Sequence, residues 1–160
     1  MKDLDRHAAD ALYRSYGPVV LRRARRILGN ADEAHEVLQE VFASLIDAPD
    51  QIPNNADLLN WFYAVTTHRC LNRLRDARNR ARLLSQHGAA ASDHKPASMD
   101  IEVGVRAFLV ELSDELARVA VFFFLDEMTH DEIAEVVGCS RRQVGYLLDQ
   151  VRRLAERRQL

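Results

Sequence analysis

No apolar run in this chain approaches the ~18 residues that a bilayer-spanning helix requires, so membrane insertion is not expected. The opening stretch MKDLDRHAADALYRSYGPVV is broken by charged or polar residues every few positions and carries no export signal. A cytoplasmic location is the expectation. Cysteine is scarce: Cys70 and Cys139 have no partner at a redox or metal spacing, which excludes a disulfide scaffold, fits a reducing compartment and reads as two buried thiols. An excess of one charge is also missing, since 22 basic residues face 24 acidic ones and the net charge is −2. The chain as a whole therefore gains little from nonspecific attraction to a polyanion. What is present is 160 residues, 48% of them apolar, enough for one ordinary domain or two small ones.

Catalytic signatures are wanting as well. His7, His35, His68, His87, His94 and His130 are scattered, and none stands at zinc spacing from a carboxylate or a thiol. No Gly-rich phosphate loop, nucleophile elbow or glycosidase-like carboxylate pair can be argued. The expectation is a protein that is not an enzyme and holds neither metal nor cofactor.

The balanced total conceals an uneven distribution. Positions 69 to 82 hold Arg69, Arg73, Arg75, Arg78, Arg80 and Arg82 against Asp76 alone, about +5; positions 100 to 135 come to about −8, and positions 141 to 158 to about +4. Two basic zones flank an acidic one. A phosphate backbone would be drawn to the first and third zones and repelled by the second.

Periodicity is helical throughout, and the six glycines and four prolines fall mostly between the periodic stretches, so the fold is expected to be all α. A first helix is predicted over residues 4 to 28 with a break or kink at Gly17-Pro18, because proline removes a backbone donor and collides with the preceding turn. Gly29 ends it. Asn30 and Glu33 open a second helix over 31 to 47, and a third runs from about Asp57 to Leu84 with the arginine run on its second half. Residues 48 to 55 read as loop. Residues 85 to 99, rich in Ser, Ala, Gly and Pro, read as a flexible linker. Two small helical domains, 1–84 and 100–160, are thus predicted on either side of it. The second begins with helices near 100 to 112 and 114 to 125, and the run Phe122, Phe123, Phe124 is expected in its core.

Thr129 with Glu132 and Ser140 with Gln143 are two capping boxes, eleven residues apart, separated by Val136, Val137 and Gly138. A short helix, a glycine turn and a second helix leaving at a sharp angle is helix-turn-helix spacing. On the second helix Val144, Leu147, Leu148, Val151 and Ala155 share one side, which turns Arg142, Gly145, Tyr146, Asp149 and Arg153 outward. Arg141, Arg142 and Gln143 occupy the first turn, where recognition helices touch base edges and an arginine can read guanine bidentately.

Together these blocks resemble the extracytoplasmic-function sigma factors, the short two-domain branch of the sigma-70 family that directs bacterial RNA polymerase to promoters. AHEVLQEVF (Ala34 to Phe42) is similar to the family's polymerase-binding helix, with Gln39, Glu40 and Phe42 in place and Glu36 where aspartate is usual. WFYAVTTHRCLNRLRDARNR (Trp61 to Arg80) resembles its promoter-melting and −10 helix, with Trp61, Asn72, Leu74 and Arg75 in place. MTHDEIAEVVGCSRRQVGYLL (Met128 to Leu148) is similar to its −35 helix-turn-helix. The chain departs from the pattern at Gly145 and Leu147, where lysine and arginine are common, at Arg142, where glycine is common, and at His68, where asparagine is.

The resemblance implies that Glu36, Gln39 and Glu40 meet the clamp helices of the polymerase β′ subunit. It implies that Trp61, Arg69, Asn72, Arg73, Arg75 and Arg78 engage single-stranded DNA of the −10 region, where arginines hold phosphates and bases stack on rings. Arg141, Arg142, Gln143, Tyr146 and Arg153 would meet the −35 duplex. Expected partners are core RNA polymerase, promoter DNA as duplex and single strand, and an anti-sigma protein. Two alternatives stay open: a helix-turn-helix regulator acting without polymerase, and a sigma-like interaction protein that has lost promoter reading.

Overall fold

The computed structural model describes residues 6–47, 57–86 and 100–159, which form seven helices and no strand among the described residues. They are α1 (Arg6–Leu28), α2 (Ala31–Asp47), α3 (Leu58–Gln86), α4 (Asp100–Glu111), α5 (Asp114–Ala120), α6 (His130–Val137) and α7 (Arg141–Arg158). The all-α expectation holds.

Helix α1 runs through Gly17-Pro18 without the predicted break. Gly17 is buried but Pro18 is exposed, so the hydrogen bond that proline cannot make is lost on the solvent side, where water can satisfy the Arg14 carbonyl. Gly29, with φ +68°, closes the helix by donating its N–H to the Arg25 carbonyl at 2.9 Å. The Asn30 side-chain oxygen then accepts from the N–H groups of Asp32 and Glu33, starting α2 at the expected residue.

The first three helices enclose an aromatic core. Phe62 stacks on Tyr16 at 4.8 Å, lies 5.3 Å from Phe42 and meets the Trp61 ring edge-on at 5.1 Å. Phe42 is buried here. On α3 the buried residues Leu58, Phe62, Thr66 and Cys70 recur every fourth position, and none beyond Leu71 is buried. The arginine-rich second half of the helix therefore extends past the core. It continues two residues beyond the predicted end, so Ser85 and Gln86 belong to the helix and not to the linker. The loop at 48 to 55 and the remainder of the linker, 87 to 99, lie outside the described residues.

In the second half, Ser113 caps α5 through the Leu116 N–H. The predicted helix through Leu125 is α-helical only to Ala120, and Val121–Leu125 form one π-helical turn in which the Asp126 N–H reaches the Val121 carbonyl at 3.2 Å. The wider turn divides the phenylalanine run: Phe122 is buried, Phe123 half-buried and Phe124 54% exposed, so only the first is wholly core. Thr129 and Glu132 form the complete reciprocal box at the start of α6. At α7 the forward half of the box forms, the Ser140 hydroxyl accepting from the Gln143 N–H. Gly138, at φ +74°, joins α6 to α7. Val144, Leu147, Leu148 and Val151 are buried as the helical wheel predicts. Cys70 is fully buried, but Cys139 sits half-buried in the turn, correcting the expectation of two buried thiols.

The two halves are packed on one another. Arg23 of α1 forms an ion pair with Asp126, their side chains 4% and 9% exposed. Arg106 of α4 donates to the Ile27 carbonyl at 2.8 Å. Arg75 pairs with Asp114 and Arg78 with Glu111, which also receives Arg158 at 2.5 Å. Acidic and basic zones that are separate along the chain are interlocked in space.

Candidate nucleic-acid interface

Two arginine-bearing surfaces emerge from this packing, one along the projecting half of α3 and one at the start of α7. Their electrostatic states differ.

On α3 most of the predicted contact residues are already engaged. Arg73 reaches across to α2, donating to Glu36 at 2.6 Å and to Glu40, and Arg69 lies 3.4 Å from Glu40. The Glu36 hydrogen bond, reinforced by Glu40, pushes the Arg73 pKa up. Two groups expected to face polymerase, Glu36 and Glu40, and two expected to face DNA, Arg69 and Arg73, thus form a single charge seam between α2 and α3. Gln39 is exposed beside it. Arg75 donates also to the Leu112 carbonyl at 3.5 Å. Asn72 is exposed, its amide nitrogen 3.4 Å from the His68 ring. Trp61 is half-buried and belongs as much to the aromatic core as to the surface.

A cavity of about 460 Å³ opens beside this region, lined by Ser44, Trp61, His68, Arg69, Asn72 and, from the other half, Arg118. The Nε atoms of Arg69 and Arg118 are buried and have no hydrogen-bond partner among the described residues.

At the start of α7 the arrangement is open. Arg141, Arg142 and Gln143 are exposed in the first turn, with Tyr146 57% exposed and Arg153 exposed two turns on. Arg141 stands 3.7 Å from Asp131 in a solvated pair, and Arg142 and Arg153 have no ion-pair partner among the described residues. All five predicted residues thus lie on the outward side of one helix, the geometry by which a helix can enter a major groove.

The residue that sequence reasoning missed is Arg23. It lies within the run LRRARR and is indistinguishable there from its solvated neighbours by type. Its phase was the available signal, because Val20, Ala24 and Ile27 bracket it on the buried face of α1. The guanidinium donates to Thr67 Oγ1 from Nη2 at 2.6 Å and from Nε at 3.2 Å, and lies 4.3 Å from the Tyr63 ring and 5.1 Å from the Phe122 ring. Burial pulls its pKa down against the opposing pull of Asp126, and burial pushes the Asp126 carboxyl up against the opposing pull of Arg23.

Residues 12–80, which span α1 to α3 and the arginine run, match the family model described as Sigma-70 region 2. The first part of the chain is thus similar to the sigma-70 family. The chain is 22% identical over 154 residues to the RNA polymerase sigma factor YlaC of Bacillus subtilis (strain 168), an alignment covering 92% of this chain and 89% of that protein. No helix among the described residues is long and apolar enough to cross a membrane.

Proposed function

We propose that this protein is a sigma factor that binds core RNA polymerase and directs initiation at a dedicated promoter, its first half (1–84) meeting the −10 region and its second half (100–160) the −35 region. The observation that carries the reading is the match of residues 12–80 to sigma-70 region 2, followed by an outward-facing arginine helix start at α7. Glu36 and Gln39, exposed on α2, and the half-buried Glu40 are the polymerase-facing candidates. Trp61, Arg69, Asn72, Arg73, Arg75 and Arg78 on α3 are the single-strand candidates, by phosphate pairing and base stacking. Arg141, Arg142, Gln143, Tyr146 and Arg153 are the duplex candidates, with Arg142 the base reader because its guanidinium is solvated and unpaired among the described residues.

Run-off transcription on a genomic promoter library with purified core polymerase tests this directly. Specific transcripts should appear only when the protein is added. Arg142→Ala should lower −35 discrimination by about 1–3 kcal/mol while leaving polymerase binding intact. Absence of any dependent transcript rejects the reading. A regulator acting alone would instead shift duplex DNA in a gel without polymerase.

A further inference from the structure

We propose that the cavity lined from α2, α3 and α5 is a binding site for a free nucleoside monophosphate, its phosphate held by Arg69 and Arg118 and its base laid against Trp61. The site goes beyond the promoter reading and does not depend on it.

Three observations carry it. First, the charge of the lining has one sign. The cavity, of about 460 Å³, is bounded by Arg69 and Arg118 together with Ser44, Trp61, His68 and Asn72, and no carboxylate among the described residues lines it. The neighbouring polar cavity, by contrast, mixes its arginines with Glu33, Glu40 and Asp76 and is neutralised from within.

Second, both guanidinium groups have donors to spare. The Nε atoms of Arg69 and Arg118 are buried and unpartnered among the described residues. Arg118, half-buried on α5, has no ion pair there either. Arg69 approaches Glu40 only at 3.4 Å, because Arg73 already holds that carboxylate. A buried donor without an acceptor is costly, and a phosphate oxygen is an acceptor that the guanidinium fork fits closely. Two cations with no acid between them call for a doubly charged anion. A phosphomonoester carries about −1.5 to −2 near neutral pH, whereas each diester of a DNA strand carries a single charge.

Third, the rest of the lining suits a base. Trp61, His68 and Asn72 are spaced by seven and four residues and so share one side of α3. Trp61 supplies an aromatic wall for stacking, and the Asn72 amide can both donate and accept, as the edge of a purine requires. The volume falls within the roughly 300–1,000 Å³ of small-ligand sites.

The test uses the full chain. Isothermal titration calorimetry with AMP and with GMP reads affinity, and the fluorescence of Trp61, the one tryptophan of the sequence, reports whether the ligand enters this cavity. At least one of the two should bind saturably and quench Trp61. The matching nucleoside, which lacks the phosphate, and inorganic phosphate, which lacks the base, should each bind about tenfold more weakly or worse. Arg118→Gln should weaken nucleotide binding about 10- to 100-fold, the loss expected for a charge-assisted hydrogen bond, and Arg118→Lys should recover part of it. Arg157→Gln removes the same charge at an exposed arginine outside the lining and should change nothing. Far-UV circular dichroism checks that each variant is folded. Absence of saturable binding of either nucleotide up to millimolar concentration overturns the proposal. So do inorganic phosphate binding as tightly as the nucleotide, which would make this a plain anion site, and equal losses in Arg118→Gln and Arg157→Gln. A labelled single-stranded DNA without terminal phosphates separates the two sources of a nucleotide. Its affinity, read by fluorescence anisotropy, should fall no further in Arg118→Gln than in Arg157→Gln; a loss as large as that for the nucleotide would assign the cavity to the strand and overturn the free-ligand reading.

Discussion

Two glycines in the second half allow backbone conformation to be separated from packing. A methyl group added at Gly145, inside α7, or at Gly138, between α6 and α7, would meet no atom within 4 Å in either case. Sterics therefore predict that both alanine substitutions are neutral. Backbone conformation predicts opposite signs. Gly145 is helical, so Gly145→Ala should stabilise by about 0.5–1 kcal/mol, mainly by reducing the freedom of the unfolded chain. Gly138 sits at φ +74° in the left-handed region, where a Cβ costs about 1–2 kcal/mol. At about 2–4 °C per kcal/mol for a chain of this size, Gly145→Ala should raise the melting temperature by about 1–4 °C and Gly138→Ala should lower it by about 2–8 °C. Differential scanning calorimetry, with urea titrations to check that the m-value is unchanged, measures both. Shifts of the same sign would refute the reasoning, and a neutral Gly138→Ala would show that the turn adopts another conformation.

Three further outcomes are expected. Thr129→Ala should cost about 1 kcal/mol in urea unfolding. It should also raise the Glu132 carboxyl part of the way toward its ordinary 4.5 in an NMR titration, because the hydroxyl is lost while the Thr129 backbone N–H, the larger cause of its lowering, remains. The sign follows from that depressed value: the box supports the native state above pH 4.5, and its support is lost as pH falls through the lower native value. Burial pushes the Cys70 thiol up to about 12, so at pH 8 a thiol–disulfide reagent should modify Cys139 alone in the native protein and Cys70 only after denaturant is added; rapid modification of both would contradict the closed α1–α3 core. Phe62→Ala, which removes a fully buried ring from contact with Tyr16, Phe42 and Trp61, should cost about 3–5 kcal/mol in the same urea assay, and a loss below 1 kcal/mol would mean that the cluster is not the core.

Local chemistry was legible in the sequence wherever the cause was local. Asn30 starts α2, Gly29 ends α1 and the Thr129 box opens α6 because each acts within a few residues of itself. The buried face of α7 follows from its spacing alone. Pro18 misled because the cost of a missing hydrogen bond depends on whether water reaches the orphaned carbonyl, and that depends on which side of α1 faces the bundle. The candidate site was half legible. Residue type identified arginines on α3 and α7 as phosphate-seeking groups, but charge counting cannot tell a solvated guanidinium from one that is spoken for. Arg142 and Arg73 look alike in the sequence; in space one is unpaired among the described residues and the other bridges two glutamates. Such partners lie tens of residues away, at separations that no window of periodicity samples.

The single π-helical turn at Val121–Leu125 makes that stretch asymmetric in the changes of length it can absorb. Its wider winding accommodates one residue more than a regular turn would, so deleting one would restore an α-helical turn and keep the downstream register, whereas inserting another would rotate everything downstream by about 100°. After such an insertion Asp126 would no longer reach Arg23. Replacing the outward Phe124 would not disturb that pair. Across relatives, single deletions should be found in these five positions and insertions should not, while the exposed one drifts freely, a pattern of gaps and substitutions that ordinary helices do not leave.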